Sequence, residues 1–592
     1  MKFSFKHIFV LTCACFALVS HGLATPPIAI SVSPSAINNT YAGRLILDMT
    51  GLTNTEKVIV QKWLDSNGNG LVDAGELLFD SFNITDGGAM IINGVTNLNV
   101  PFDRNPSGGA ITTTLNCPPA LALENMVGNY VFRMVSPTGR FVPVTTTLTI
   151  TNAVLNQSVS GVIYSNGVPA PYAVAVVQDL QQNNPAGSAV ADASGHYLIK
   201  LVPGTYGLIG SAPNCYFNQG AAPVVTLTND MTATNDLYLT NGTVAISGKV
   251  YDSASSNGIA GTLLLVQSGP FFAVAFTDTN GFYSAAVAPG FWKIKPSKER
   301  LARRAYVVSQ STFQVDATGG SVSNADIALP KGNALFYGRI TDNSNVPFAN
   351  VEVDGGMANN QYDAKGFSDT NGYYTVAILG DATNYWTCDV NSGKGGSLNN
   401  YIVNYTGSVI VPSNQVSLQN FIALPTIGQI SGQVRDNFGN PVAGVGLNAD
   451  NGSQYHSLDG VTDNLGNYSL SVAAGQWNVQ FFTGGGQDNL DAHGFVDLGT
   501  HLVSVPPTNV VLNLTVYPLG TPVINQAARY SPTQFGFNIS GSVGVTYTVQ
   551  ISTNLASTNW FNLSSFQLTS NYFPITDTHA TNGARYYRVL KN

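Results

Sequence analysis

The sequence predicts an all-β protein, a string of about six small β-sandwich modules with no large helical part. Three observations carry this expectation. A four-fold repeat with a period near 90 residues runs through the middle of the chain. Short apolar stretches alternate with period 2, and no segment sustains a helical period. Only 10% of the 592 residues are charged, against ~25% in an average soluble protein, while Gly (60 residues), Asn, Thr and Ser abound. Apolar residues at 44% suffice for packed cores and exclude wholesale disorder. At ~150 residues per domain, a chain of this length holds about four domains, and more if they are small sandwiches.

The N-terminus has the pattern of an export signal over residues 1–24. Lys2 and Lys6 form its basic part, Ile8 to Val19 its apolar part, and Gly22-Leu23-Ala24 a small-x-small cleavage site. A lipoprotein signal at Cys15 fits less well, because Thr12 stands where Leu is expected. No other stretch has the ~18 apolar residues of a membrane span. The chain is therefore expected to be secreted or held at the cell surface. The net charge of −8 becomes −8 − 2 = −10 without the signal, which disfavours nucleic acid or an anionic membrane as the main partner. Lys298-Glu-Arg-Leu-Ala-Arg-Arg304 is the one basic cluster, short and mixed. Cys117, Cys215 and Cys388 fall one to a module, so they form no disulfide framework and are expected as small buried hydrophobes.

The repeats open on Val159-Ser-Gly161-Val162, Ile246-Ser-Gly248-Lys-Val250, Phe336-Tyr-Gly338-Arg-Ile340 and Ile430-Ser-Gly432-Gln-Val434. Their glycines are 87, 90 and 94 residues apart. A second element follows 34, 33, 34 and 34 residues after each glycine. It reads Asp192-Ala-Ser-Gly195-His-Tyr197, Asp278-Thr-Asn-Gly281-Phe-Tyr283, Asp369-Thr-Asn-Gly372-Tyr-Tyr374 and Asp463-Asn-Leu-Gly466-Asn-Tyr468. Asp accepts backbone N–H bonds from the residues just after it, Gly supplies positive φ, and Tyr opens a strand on its buried face. A third glycine follows 8 or 9 residues later, then an aromatic at Tyr206, Trp292 and Trp477; the third repeat departs here. Internal spacing holds while total spacing wanders, as expected of one folded unit copied four times with loose joints. About seven short strands per unit fit a small sandwich.

These motifs, with Val202-Pro-Gly204 and Ala288-Pro-Gly290, resemble the carboxypeptidase regulatory-like domain, a transthyretin-like seven-strand sandwich. The resemblance covers residues 153–240, 241–331, 332–424 (degenerate, with an insert around Asp381 to Gly396) and 425–518. It implies an accessory fold rather than an activity.

Residues 25–152 form a separate N-terminal sandwich. Its Asp65-Ser-Asn67-Gly-Asn69-Gly70-Leu71-Val-Asp73-Ala-Gly-Glu76 resembles the twelve-residue EF-hand calcium loop. The resemblance implies ligands from Asp65, Asn67, Asn69, the Leu71 carbonyl, Asp73 and Glu76, a set of hard oxygens suited to a structural Ca²⁺. The flanks, Val58–Trp63 and Leu77–Ile84, look like strands rather than helices. The plainer reading is an Asn/Gly turn. In residues 519–592, Phe535-Gly-Phe-Asn-Ile539, Thr546-Tyr-Thr-Val-Gln-Ile551 and Tyr586-Tyr-Arg-Val589 alternate cleanly. Ser552-Thr-Asn-Leu555, Asn559-Trp560 and Arg585-Tyr-Tyr-Arg-Val589 resemble the small terminal sandwich of many secreted bacterial proteins, and surface attachment or sorting is one expected role of this C-terminal sandwich.

No catalytic signature appears. His196, His456, His493, His501 and His579 make no His-Glu-x-x-His, and there is no Gly-x-Ser-x-Gly elbow or phosphate loop. The recurring Asp residues fall one per module and cannot pair as a glycosidase dyad. Trp292 and Trp477 hold equivalent positions and read as core. Tyr385, Trp386 and Trp560 lie outside the pattern and are the candidates for contact with a ligand. The leading expectation is a non-catalytic extracellular scaffold or adhesion protein stabilised by calcium, with a glycan or extracellular protein as partner. Alternatives are a carbohydrate-binding protein using exposed loop aromatics, and a secreted hydrolase with an unrecognised site.

Overall fold

A computed structural model of the chain describes residues 27–118, 123–181, 184–390, 398–452, 454–457, 460–483, 486–506, 508–556, 558–570, 572–581 and 583–592. The export signal expected at residues 1–24 lies outside them. Strands make up 54% of the structure and helix 2%. Alternation of apolar and polar residues builds these strands directly: in Ile111–Asn116 every second side chain is buried.

The N-terminal sandwich pairs a three-stranded sheet (Ala29–Ser33, Arg44–Thr50, Ile111–Asn116) with a five-stranded one. The second sheet runs Ala36–Asn38, Val144–Thr151, Gly128–Val135, Lys57–Leu64, Leu78–Thr85. Each repeat has the same plan. Its opening strand (Ser158–Ser165, Val244–Asp252, Ala334–Asp342 or Gly428–Asp436) pairs antiparallel with the strand after the Asp turn. The same opening strand pairs parallel with the closing strand of the repeat. A second sheet packs against this one, built on the pairs Val174–Asp179/Gly204–Ser211, Leu263–Ser268/Phe291–Pro296, Glu352–Met357/Tyr385–Val390 and Gly446–Asp450/Gly475–Phe481. Two further three-stranded sheets, centred on Gln534–Ser540 and Thr546–Ser552, make the C-terminal sandwich.

The two conserved-spacing elements of each repeat prove to be one device. Gly161 sits opposite Tyr197 across the strand pair, Gly248 opposite Tyr283, Gly338 opposite Tyr374 and Gly432 opposite Tyr468. Each tyrosine hydroxyl donates to a carbonyl of the segment leading into the closing strand: Asn235 at 2.7 Å, Ala325 at 2.6 Å, Gln419 at 2.5 Å and Leu512 at 2.6 Å. That same carbonyl lies against the glycine, where any Cβ would collide with it. Glycine is thus needed for close approach of two backbones, and tyrosine satisfies the carbonyl so buried. In the turns, Asp278 Oδ1 accepts from the N–H groups of Asn280 (2.8 Å) and Phe282 (2.9 Å), and Gly281 has φ +85°. Asp192, Asp369 and Asp463 repeat these bonds.

The chain is not drawn out as an extended string, because the N-terminal sandwich is packed against three repeats. Its core includes Val174 of the first repeat and Leu263 of the second, and Phe79 lies 4.8 Å, ring to ring, from Phe276. The first and second repeats also share one ten-stranded sheet, joined where Cys215–Asn218 pairs with Phe271–Phe276. In the third repeat the Asn99 side chain fills the gap between two strands: its Oδ1 accepts from Phe367 N–H (3.0 Å) and its Nδ2 donates to Thr375 O (2.5 Å). Ile92 meets Leu335 and Ala377 in a small apolar cluster beside it.

The basic cluster 298–304 forms a short α-turn, Lys298–Leu301, and a 3-10 turn, Ala302–Arg304, that plug into the N-terminal sandwich. Arg303 bonds Asp80 (2.9 Å), Glu124 (2.7 Å) and the Asn116 carbonyl (2.7 Å). Arg300 donates to the Phe79 carbonyl (2.6 Å). Lys62, also buried, donates to the Glu124 carbonyl and lies 4.5 Å from the centre of the Tyr130 ring. Burial alone would raise the Glu124 carboxyl, but Arg303, Lys62 and Arg300 hold it down at about 2. Burial pushes the Lys62 ammonium down, against the pull of Glu124.

Candidate functional site

The calcium-type loop joins Lys57–Leu64 to Leu78–Thr85, which are paired antiparallel strands, so it closes a hairpin rather than linking helices. Positive φ at Gly68 (+71°) and Gly70 (+75°) curls the chain so that its polar side chains turn inward. Asp65 is buried; its Oδ1 accepts from Asn69 N–H (3.1 Å) and its Oδ2 from Gly70 N–H (2.9 Å). Glu76 closes the far end, accepting from Ser66 N–H (2.9 Å) and Asp73 N–H (2.9 Å). The amides of Asn67 (2.8 Å) and Asn69 (2.7 Å) both donate to Asp73 Oδ2. Leu71 donates its N–H to Asn69 Oδ1 (2.8 Å). The six sequence-predicted positions therefore belong to one hydrogen-bonded loop. Among the described residues, no three His, Cys, Asp or Glu side chains come together as a metal-holding group. The donor set is all hard oxygen, and turning the Asn67 and Asn69 amides over would present two more oxygens where N–H groups now point.

The aromatic candidates do not assemble. Tyr385 and Trp386 are neighbours on one strand and face opposite ways; Tyr385 is half-exposed. Trp386 is wholly buried and its Nε1 donates to Leu379 O (3.0 Å), so its expected role as an exposed ligand contact is corrected. The cause is an insertion. Tyr206, Trp292 and Trp477 stand two residues after their glycine and bond back to Val202, Ala288 and Ala473 carbonyls. In the third repeat the Asp381–Asn384 turn, held by N–H bonds from Thr383 and Asn384 to Asp381 Oδ1, delays the tryptophan to the sixth position after Gly380. Trp386 is thus the missing aromatic of that repeat. Trp560, in the C-terminal sandwich, is half-buried with one ring face covered by Arg588 at 4.4 Å.

The remaining titratable groups are absorbed in structure. Burial holds the Tyr197, Tyr283 and Tyr468 hydroxyls well above the usual tyrosine range. Cys117, Cys215 and Cys388 are free and buried, and burial pushes the Cys117 thiol up to about 12. A 310 Å³ cleft of the fourth repeat includes Asp491 and Asp497, and Asp497 is held by His501 at 2.9 Å.

No family model matches the chain, and no curated protein matches it. Solved structures that resemble it include the Bacillus anthracis TIE protein, at 11% identity over 83% of this chain and 75% of that one, with a TM-score of 0.15. A streptococcal ancillary pilin is 10% identical over 46% of this chain and 98% of its own, with a TM-score of 0.17. A DUF3823 family protein from Parabacteroides merdae is 13% identical over 28% and 89%, with a TM-score of 0.13. At such TM-scores these likenesses carry no argument, and the fold class stands on the strands and sheets described above.

Proposed function

We propose that this protein is a non-catalytic extracellular scaffold or adhesion protein, built of β-sandwiches and steadied in its N-terminal sandwich by Ca²⁺ at Asp65–Glu76. One observation carries the reading. The residues that recur in every repeat, Asp, Gly and Tyr, are spent on the turn and on one buried carbonyl, leaving no recurring group for chemistry. Secretion and lack of enzymatic activity are part of the same proposal. Burial of Trp386 removes the main support for a glycan-binding reading and leaves it only Tyr385 and Trp560.

Calcium is expected to bind weakly, with a Kd of ~10⁻⁴–10⁻³ M as in extracellular modules. At a tenfold to hundredfold excess over Kd, it would stabilise the sandwich by about 1–3 kcal/mol. Melting with CaCl₂ against EDTA checks this: the expected rise vanishes in Glu76→Gln, and an equal rise in that variant contradicts the assignment. A glycan array probed with the full chain tests the wider reading. The expected result is no saturable binding; saturable binding lost in Tyr385→Ala or Trp560→Ala would replace the scaffold reading with the carbohydrate-binding one.

A further inference from the structure

A cleft of 510 Å³ opens where the N-terminal sandwich meets the second repeat, and its charge is one-sided. The N-terminal sandwich contributes Gln61 and Arg133, and the second repeat Arg303, Arg304, Tyr306 and, at its end, Lys331. No Asp or Glu is among its described lining residues, in a chain whose net charge is −8. Arg304 is only 9% exposed. Its Nη1 donates to the Ala260 carbonyl, while its Nε and Nη2 are buried with no partner. Those two atoms form the edge with which a guanidinium grips an oxoanion in two parallel hydrogen bonds. A buried guanidinium edge left unpaired is costly, so the site is complete only when something accepts from it. Arg303 is tied to Asp80 and Glu124, so Asp80, whose charge also reaches Arg304, is already engaged. Arg133 and Lys331 make no side-chain hydrogen bond or ion pair among the described residues; Lys331 Nζ lies 6.0 Å from the Tyr306 ring centre.

We propose that this cleft binds a small oxoanion, held on the Nε–Nη2 edge of Arg304 and screened by Arg133 and Lys331, and that the bound anion ties the N-terminal sandwich to the second repeat. The carboxylate of a sugar acid and a sulfate or phosphate group share the required chemistry. The inference does not depend on the scaffold reading or on calcium.

The test is titration calorimetry and melting of the full chain at constant ionic strength, with sodium sulfate, phosphate or glucuronate against chloride. Saturable binding of at least one, with a Kd at or below ~1 mM and a raised melting temperature, is expected. Arg304→Gln should abolish it. Because that variant can also disturb the seam, Arg133→Ala and Lys331→Ala carry the assignment, each weakening binding about tenfold with the anion-free melting temperature unchanged. Binding of glucuronate alone would identify a carboxylate ligand, and preference for sulfate or phosphate a tetrahedral one. Absence of any effect beyond chloride, or binding undiminished in the Arg133→Ala, Lys331→Ala double variant, would overturn the proposal.

Discussion

The interior of a repeat and the seam between the N-terminal sandwich and the second repeat are held by opposite means. Inside a repeat the contacts are neutral, close in sequence and identical four times: a glycine, a tyrosine and one carbonyl. At the seam they are ionic, made once, and join residues about two hundred positions apart, Asp80 and Glu124 to Arg303. Burying charge yields little net stability unless every partner stays, whereas a steric fit at a glycine has no alternative arrangement. The two regions should therefore fail differently: a repeat by losing its own fold, the seam by separating sandwiches that each remain folded.

Breaking the seam should have the largest effect. Glu124→Gln leaves Arg303, Arg300 and Lys62 without their shared anion, and a loss of about 3–5 kcal/mol is expected. Chemical denaturation should then show two transitions where the parent shows one. Next comes the repeat interior: Gly338→Ala forces a Cβ onto the Gln419 carbonyl and should cost about 3 kcal/mol, with the damage confined to the third repeat in hydrogen exchange. Tyr374→Phe keeps the packing and leaves that carbonyl unbonded, so a smaller loss, about 1–2 kcal/mol, is expected in the same assay.

Acid sharpens the contrast further. The folded Glu124 carboxyl titrates at about 2 against an ordinary 4.5, so the seam's ionic contribution is full above pH 4.5 and is lost as pH falls toward 2. The Gly–Tyr–carbonyl device carries no titrating group in that range. Melting between pH 6 and pH 3 should weaken the seam in the parent, and the fall should be smaller in Glu124→Gln, where only the other carboxyls held low, such as Asp381, still contribute.

What the sequence revealed follows the same division. The repeats are legible because one physical constraint is written four times, so constant internal spacing marks it without showing its cause. The pairing of Gly161 with Tyr197 is a cross-strand contact that their 36-residue separation alone could not show. Trp386 was misplaced because a short turn at Asp381–Asn384 shifted it along the chain while its place in the core stayed the same. The cluster Lys298–Arg304 reads in sequence only as short and mixed, since its acid partners come from a different sandwich. Asn99 carried no signal at all, because an asparagine completing the edge of a distant sheet resembles any loop asparagine. In the Asp65–Glu76 loop the motif is readable, and the flanks read as strands rather than helices, as the hairpin bears out.

The central claim is that the sandwiches form a clamped scaffold, with the N-terminal one seated on three repeats. Small-angle X-ray scattering of the full chain, beside the Glu124→Gln, Asn99→Ala double variant, tests this most directly. The account predicts a single compact scattering envelope for the parent and a clear rise in radius of gyration for the variant, with strand content by circular dichroism unchanged in both. An extended, flexible profile already present in the parent, or a variant that scatters identically to it, would contradict the claim.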